Sequence, residues 1–261
     1  MARSALINVM VGAARKAGRS LAHDFGEVEK LQVSRKGPAD FVSAADRKAE
    51  EIIHGELERA RPGYSFLGEE GGAIEGRDPQ HRWIVDPLDG TTNFLHGIPL
   101  FAVSIALERQ GRLQAAIVFN PITDELFSAE RGAGAFLNDR RIRVSARGNF
   151  AEAVVGTGVP YTGHGDHAVF LKETAQVMAA AAGVRGFGCA SLSLAWVAAG
   201  RLDAYWERYL SAWDFAAGML LVREAGGFVS DLSGREKTVD GDDIAAGNEA
   251  IHRHLLGLLK G

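Results

Sequence analysis

One stretch of the chain, residues 83–94, constrains the fold more than any other, and it reads WIVDPLDGTTNF. Its first three residues are bulky and apolar, as at the end of a buried strand. The Asp-Pro-Leu-Asp-Gly that follows is typical of a turn, and Thr-Thr-Asn is typical of the first turn of a helix. The stretch therefore predicts a strand, a turn and a helix start in immediate succession.

Two carboxylates, those of Asp86 and Asp89, stand three residues apart at this predicted strand exit. Burying them is costly unless a cation compensates their charge, and Mg²⁺ is the best candidate because it prefers carboxylate oxygens. The adjoining Gly-Thr-Thr offers N–H groups and hydroxyls at a helix N-terminus, which is an anion site. A phosphate ester held on metal would fill both sites. An isolated Asp-x-x-Asp-Gly, however, is more often a solvated turn.

Length and composition are those of a globular protein with a sizeable core. The chain has 261 residues, 46% hydrophobic and 24% charged, enough for one large domain or two intimately packed halves. Its net charge of −4 argues against direct nucleic-acid binding, which needs a basic surface. The single cysteine, Cys189, excludes an internal disulfide framework and is expected to be a small buried apolar residue.

The N-terminal segment has neither a signal-peptide core nor a membrane span. Arg15, Lys16 and Arg19 interrupt its apolar residues, and no run in the chain approaches ~18 apolar residues. Residues 3–24 instead have the spacing of one amphipathic helix. We therefore expect a cytoplasmic protein with no membrane partner.

The pattern of predicted elements divides the chain into two halves that form one compact unit. Residues 1–145 carry two helices and then consecutive strands, which indicates an α+β half with an antiparallel meander. Residues 146–261 alternate strands with helices, which indicates an α/β half. Within the first half, residues 73–82 show no strong pattern and are expected to form an exposed loop.

The second predicted helix follows a turn signal. Gly37-Pro38 indicates a turn, and Ser43 is expected to cap a helix that runs to about Ala60. Asp46 would occupy the third helical position, as in a variant of the capping box.

Several motifs of the chain resemble signatures of the inositol monophosphatase family. Asp-Pro-Leu-Asp-Gly-Thr resembles the family's metal-binding signature, and WDFAAGMLLVREAGG at residues 213–227 resembles its second signature. KGPADFVSAAD at residues 36–46 and FLGEE at residues 66–70 resemble two further family segments. Glu207 precedes Asp214 by seven residues, like the family's glutamate that contacts substrate hydroxyls. The resemblance covers most of the chain, in the family's order and with compatible spacing.

The resemblance implies a magnesium centre with two or three Mg²⁺ ions per active site. The implied ligands are four carboxylates and one backbone carbonyl: Glu69, Asp86, Asp89, Asp214 and Leu88. Glu70 would contact these ligands without binding their metal ions, or it would bind a further, weakly held metal ion.

The resemblance also implies catalytic and substrate-binding residues. Glu69 and Thr91 would orient and deprotonate the attacking water, and Asp46 would support that hydroxyl network. The implied substrate-binding residues lie at helix starts and strand ends: Gly90, Thr91, Ala190, Glu207 and Asp214. In contrast, the histidines at 164 and 167 lie in a Gly-rich loop and are weak candidates for substrate contact.

The implied activity is that of a Mg²⁺-dependent phosphomonoesterase. It would hydrolyse myo-inositol monophosphate through a metal-activated water and be inhibited by Li⁺. Thr92-Asn93-Phe94 favours this branch over the nucleotide bisphosphatase and histidinol phosphatase branches. The implied fold is the layered α-β-α-β-α sandwich of the inositol monophosphatase and fructose-1,6-bisphosphatase type, assembled as a homodimer.

Two alternatives to this activity remain open from the sequence. The same fold and mechanism can act on fructose 1,6-bisphosphate or another small phosphate ester. Some bacterial relatives also associate with the transcription machinery, so the chain could be a regulatory partner protein whose catalysis is secondary.

Overall fold

Helices and two large sheets alternate through the molecule in five layers, α-β-α-β-α, which confirms the predicted fold class. The computed structural model describes residues 3–27, 33–35 and 41–260. The predicted turn at Gly37-Pro38 and the motif residues 36–40 lie outside the described residues.

The first large sheet contains eight strands and follows a small two-stranded sheet of β1 (Val33–Arg35) and β2 (Phe41–Ser43). Its strands are β3 (Tyr64–Gly68), β4 (Gly72–Ile74), β5 (Asp78–Asp89), β6 (Ala102–Arg109), β7 (Arg112–Asn120), β8 (Glu125–Glu130), β9 (Gly134–Leu137) and β10 (Arg140–Arg141). In space they run β10-β9-β8-β7-β6-β5-β3-β4, so the predicted meander is confirmed from β5 through β10. Only the β3–β5 pair among these eight described strands is parallel.

The loop expected over residues 73–82 is confined to residues 75–77, while most of the segment is exposed as expected. Residues up to Ile74 belong to β4, and β5 begins at Asp78. His81 pairs with Arg109 across the sheet, and its ring stacks on Tyr64 with a centroid distance of 4.3 Å. Strand partners that are distant in sequence stabilise this polar segment, and its own composition carries no signal of them.

The second large sheet contains five strands from the second half of the chain. They are β11 (Val154–Thr157), β12 (Gly183–Gly186), β13 (Ala204–Glu207), β14 (Phe228–Ser230) and β15 (Ile244–Gly247). Their order is β12-β11-β13-β15-β14, with β11 parallel to both of its neighbours and β15 antiparallel to both of its own. Strands and helices alternate as expected, while the functional division of the chain at residue 145 stays a prediction.

Seven α-helices of the described residues make up the helical layers. They are α1 (Ala5–Phe25), α2 (Ala44–Ala60), α3 (Thr91–Leu95), α4 (His167–Ala180), α5 (Ala190–Ala198), α6 (Ala212–Glu224) and α7 (Glu249–Leu259). The first two cover one face of the eight-stranded sheet, α5 and α6 lie between the two sheets, and α4 and α7 cover the outer face of the five-stranded sheet.

The amphipathic helix predicted near the N-terminus is confirmed as α1. Ser4 caps it by accepting a hydrogen bond from the Ile7 N–H at 3.1 Å, and the helix buries its apolar side against α2 and the sheet. The next helix, α2, begins directly after Ser43 and ends at Ala60, as predicted. None of the helices in the described ranges is long and apolar enough to cross a membrane. The cytoplasmic location stays a prediction.

The central helical layer is apolar on nearly all sides because sheets cover both of its faces. In α6, every residue from Phe215 to Val222 is buried. Gly218 lets α5 approach closely, since a Cβ atom there would lie 2.4 Å from the Leu194 Cβ. This close packing brings the N-terminal ends of α5 and α6 to the same edge of the molecule as the end of β5.

Gly218→Ala is expected to destabilise the protein by about 1–3 kcal/mol, because the added methyl group overlaps Leu194 in a packed core. The matched change Gly12→Ala in α1 meets nothing within 4 Å and should stabilise the protein by about 0.5–1 kcal/mol through helix propensity. Denaturant unfolding of both variants measures the difference. Equal effects of the two changes would contradict the close contact between α5 and α6.

Candidate functional site

The two aspartates of the central stretch stand at an irregular end of β5. Asp86 pairs with Ser104 of β6 and Asp89 pairs with Ala102, so the register shifts between the two aspartates. The Asp86 Oδ1 accepts a hydrogen bond from the Leu88 N–H at 2.9 Å and closes the turn around Pro87. The predicted strand, turn and helix start are therefore confirmed.

A glycine is required where this turn meets α3. Gly90 has φ +95°, a left-handed conformation that side chains disfavour. A Cβ atom there would lie 2.9 Å from the Leu100 carbonyl oxygen and 3.2 Å from that of Gly188. The backbone of residue 90 is thus enclosed by two other loops of the chain.

Asn93 holds those two loops against the turn, a role that the sequence analysis missed. Its Nδ2 donates to the Leu100 carbonyl at 2.7 Å and to the Phe187 carbonyl at 2.7 Å. In the sequence, only the position of Asn93 in the family-like Thr-Asn-Phe pointed to this role. Its two partners are backbone carbonyls, which every residue type has, so the residue types at 100 and 187 give no indication of the contacts.

Thr91 connects the turn to α2. Its Oγ1 lies 3.2 Å from the Asp46 Oδ2 and 3.0 Å from the Leu88 carbonyl oxygen. The single hydroxyl proton can serve one of these acceptors at a time. The structure thus brings together Asp46, Leu88 and Thr91, three of the residues that the sequence analysis assigned to the site.

Asp89 links the first half of the chain to the N-terminus of α5. Its Oδ2 accepts hydrogen bonds from the Ser191 N–H at 2.7 Å and from the Cys189 Sγ at 3.0 Å. Positive partial charge at a helix N-terminus favours a carboxylate there. Ala190, predicted to bind substrate, is the first residue of the same helix. Cys189 is buried as expected, but it is a hydrogen-bond donor as well as a packing residue, which its isolation in sequence does not reveal.

A buried glutamate on α2, Glu50, positions the Gly-Glu-Glu segment, and the sequence analysis missed it. Its carboxylate accepts hydrogen bonds from the Glu70 N–H at 2.9 Å and from the Gly71 N–H at 2.6 Å. Gly68 makes room for it, since a Cβ there would lie 2.3 Å from a Glu50 oxygen. The available signal was spacing, because Glu50 follows Asp46 by one helical turn on the buried side of α2.

Asp214 lies in the first turn of α6. Its Oδ2 accepts a hydrogen bond from the Ser211 N–H at 2.7 Å, which forms a capping box with Ser211 as the N-cap. The two family-like signatures thus place carboxylates at a strand end and at a helix start.

The predicted acidic residues lie close enough for their charges to interact, and we call the region they form the acidic cleft. Burial raises the pKa of Asp86 well above its usual range, and the charges of Glu69, Asp89, Asp214 and Asp46 raise it further. Burial likewise raises the pKa of Asp89, although hydrogen bonds from Ser191 and Cys189 oppose this shift. Burial and the charge of Asp89 raise the pKa of Asp214. The cleft therefore favours any cation that can replace protons.

The donor set of the cleft fits a hard cation. In the part of the chain that the structure describes, no lysine, arginine or histidine forms an ion pair with Asp86, Asp89 or Asp214. Among the described residues, no group of three or more His, Cys, Asp or Glu side chains is arranged so that it could hold a metal ion as it stands. Each of the three aspartates instead directs an oxygen at a backbone N–H group. The fit to Mg²⁺ thus rests on oxygen donors and uncompensated charge.

Glu207 lies beside the acidic cleft in a pocket shared with residues 157–161 and Tyr209. The Tyr205 hydroxyl donates a hydrogen bond to its carboxylate. A Cβ at Gly158 would lie 1.7 Å from a Glu207 oxygen, so a glycine is needed there. Burial raises the pKa of Glu207 to about 8, and the charge of Asp89 contributes to the shift.

The Gly-rich loop that carries the two histidines forms the other side of this pocket. His164 stacks on Tyr161 with a centroid distance of 4.8 Å, and its ring meets Tyr209 at 6.0 Å. The His167 Nε2 lies 3.2 Å from the Tyr161 carbonyl oxygen. The loop is folded onto itself at the pocket, and contact with substrate stays a prediction.

Comparison with known proteins gives the chain clear relatives. A model of the inositol monophosphatase family matches residues 2–260. The chain is 64% identical over 260 residues to inositol-1-monophosphatase of Mesorhizobium japonicum, covering 100% of this chain and 98% of that protein. It is 45% identical over 258 residues to Nus factor SuhB of Pseudomonas aeruginosa, covering 96% and 94% respectively. The solved structure of extragenic suppressor protein suhB from Bartonella henselae matches with TM-score 0.96 at 60% identity, covering 98% of this chain and 99% of that one.

The metal-free protein is expected to lose stability as pH rises from about 5 to 8. Glu207 has a folded-state pKa raised from 4.5 to about 8, so the folded state favours its neutral form, and this contribution to stability is lost as pH rises through that window. At ~1.4 kcal/mol per pKa unit the loss is at most about 5 kcal/mol. Glu207→Gln should flatten the fall in Tm measured in EDTA. The exposed control Glu249→Gln should retain the fall in Tm. If both variants gave parallel curves of Tm against pH, the fall could not be attributed to Glu207.

Proposed function

Because the chain belongs to the inositol monophosphatase family, a family of phosphatases, we propose that it is a Mg²⁺-dependent phosphomonoesterase that hydrolyses myo-inositol monophosphate. The observation that carries this proposal is the cluster of buried carboxylates, in which Asp86, Asp89 and Asp214 form no ion pair with a lysine or arginine of the described residues. The name of the rhizobial relative supports inositol phosphate as the substrate.

Glu69, Asp86, Asp89, Asp214 and the Leu88 carbonyl would hold the metal ions. When bound, two or three Mg²⁺ ions would neutralise phosphate charge, lower the pKa of the attacking water and stabilise the leaving oxygen. Such a site would bind Li⁺ in competition, which is the proposed basis of lithium inhibition.

The chain's own residues would position and deprotonate the attacking water. Thr91 can donate a hydrogen bond to Asp46, so its oxygen lone pairs can accept a hydrogen bond from the attacking water. The water's proton would pass to Thr91 as the Thr91 proton moves to the Asp46 carboxylate. Glu69 would share this role from the end of β3. The backbone N–H groups of Gly90 and Thr91 would bind the phosphate oxygens at the start of α3.

Glu207 would select the alcohol part of the substrate. A buried carboxyl group that hydrogen-bonds substrate hydroxyls discriminates against esters that lack them, and the Tyr205 hydroxyl holds Glu207 in place for this contact. Ala190 and Asp214 would line the same substrate position from the starts of α5 and α6. Fructose 1,6-bisphosphate and other small phosphate esters remain the alternative substrates for the same residues.

We also propose that the protein forms a homodimer through the outer face of α4. Leu171 and Met178 lie two helical turns apart on that helix and are 65% and 59% exposed. Apolar side chains exposed in register on one helix face favour burial against a partner. Sedimentation equilibrium of Leu171→Glu against the unmodified chain tests this assembly, and an unchanged mass would count against this face.

A second candidate function is binding to the transcription machinery as a regulatory partner. The likeness to the protein named Nus factor SuhB favours it. The negative net charge of the chain makes a protein partner better suited than direct contact with RNA.

Asp89→Asn is expected to lower phosphate release by at least about 10³-fold, because it removes a charge from the centre of the cleft. It should also abolish the increase in Tm that Mg²⁺ produces in the unmodified protein. The matched control Asp124→Asn lies on the surface and should keep both properties. A transcriptional role independent of catalysis would survive in Asp89→Asn, so a reporter of transcription separates the two functions.

The substrate is identified by phosphate release with and without Mg²⁺ from inositol 1-phosphate, fructose 1,6-bisphosphate, 3′-phosphoadenosine 5′-phosphate and histidinol phosphate. Highest turnover on inositol 1-phosphate is expected, since Glu207 faces the proposed polyol position. Highest turnover on another ester would indicate a different preferred substrate with the same mechanism. Absence of turnover at every Mg²⁺ concentration would contradict the phosphatase and favour the regulatory partner.

A further inference from the structure

A second concave site lies at the opposite end of β5 from the acidic cleft. Its lining includes Tyr64 and His81 near the starts of β3 and β5, Arg109 at the end of β6, and Arg131 directly after β8. This cavity is an open groove of about 300 Å³, the lower end of the range for small-molecule sites. Eight residues of extended strand separate His81 from Asp89, about 25 Å, so the two sites are distinct.

This cavity is positively charged although the chain as a whole is negative. Arg61, Arg109 and Arg131 line it together with a single carboxylate, that of Glu130, which leaves an excess of two positive charges. The whole chain carries −4. A local excess of this sign in a concave surface concentrates anions.

None of the three arginines forms an ion pair with any of the residues that the structure describes. Other surface arginines do pair, such as Arg82 with Glu108 at 2.8 Å. The nearby Asp78 contacts the His81 ring at 2.8 Å. That hydrogen bond and, more weakly, the charge of Arg109 lower the pKa of Asp78, so Asp78 acts on Arg109 without forming an ion pair with it.

Backbone carbonyls orient two of the three guanidinium groups without neutralising them. The Arg131 Nε donates to the Leu113 carbonyl at 2.7 Å, and the Arg61 Nη1 donates to the Ala60 carbonyl at 2.8 Å. An arginine has five N–H donors, so each retains donors for a ligand. Guanidinium groups held in place before binding lose little entropy on binding a phosphate.

The rest of the lining suits a ligand that is more than an inorganic ion. Tyr64 stacks on His81, and Leu107 contributes apolar surface beside the arginines. Gln114 adds a side chain that can donate or accept hydrogen bonds. We propose that this cavity binds a small phosphorylated molecule, with its phosphate on Arg61, Arg109 and Arg131 and its organic part against Tyr64 and Leu107.

Calorimetric titration of the full chain in EDTA and low salt tests this site with two probes, inorganic pyrophosphate and glycerol 2-phosphate. EDTA withholds the metal that would draw phosphate to the acidic cleft. The double variant Arg109→Gln/Arg131→Gln and the single variant Arg61→Gln should each weaken binding, the double at least tenfold. Glu130→Gln should strengthen it several-fold, because it removes the negative charge that Glu130 brings to the lining.

The exposed Arg143 lies outside the cavity, and Arg143→Gln is the charge-matched control, which should bind within twofold of the unmodified chain. Circular dichroism confirms folding of each variant, and Tm is measured as well because Arg61 and Arg131 each donate a hydrogen bond to a backbone carbonyl. Tighter binding of glycerol 2-phosphate than of pyrophosphate supports an organic phosphate as the ligand. Absence of binding by both probes, or equal binding by the arginine variants and the control, would overturn the site.

Discussion

The repulsion among carboxylates buried in one cleft is the constraint on which the rest of this structure depends. Asp86, Asp89 and Asp214 each have a raised pKa because burial disfavours their charged forms, and neighbouring acids raise the pKa of Asp86 and Asp214 further. The surrounding backbone offsets part of this cost, since N–H groups at a turn and at two helix starts point at the carboxylates. Irregular features of the fold, such as the shifted register of β5, serve this arrangement.

The same hydrogen bonds join the two halves of the chain. Asp89 belongs to the eight-stranded sheet, whereas its partners Ser191 and Cys189 begin a helix of the central layer. Asn93 adds a second connection to the Phe187 carbonyl. Residues of both halves contribute to the cleft, so its geometry depends on how firmly the two halves pack together. The apolar layer of α5 and α6 supplies that packing. Stability and site geometry are therefore coupled through the same helices.

Charge is distributed unequally along β5. Its C-terminal end carries the acidic cleft, and its N-terminal end borders a cavity with three arginines that form no ion pair with described residues. A strand that is fixed by pairing on both sides keeps the two ends at a constant separation. One arginine-rich surface and one aspartate-rich surface thus coexist in a protein of modest net charge.

Local chemistry made much of this protein predictable from its sequence. The turn after Val85, the start of α6 at Trp213-Asp214 and the amphipathic α1 depend on residues a few positions apart, so their patterns predicted them. The motifs that resemble the family signatures are also short stretches of sequence, so the acidic residues could be predicted from them.

Only the tertiary structure decided the contacts between distant segments. Residues 78–82 form a strand because β3 and β6 pair with them, Glu50 reaches the turn after β3 because Gly68 leaves room, and Cys189 meets Asp89 across 100 positions of sequence. The arginine cavity likewise gathers the ends of several strands. Such contacts depend on packing geometry rather than on neighbouring residue types, and a single sequence carries no local signal of them.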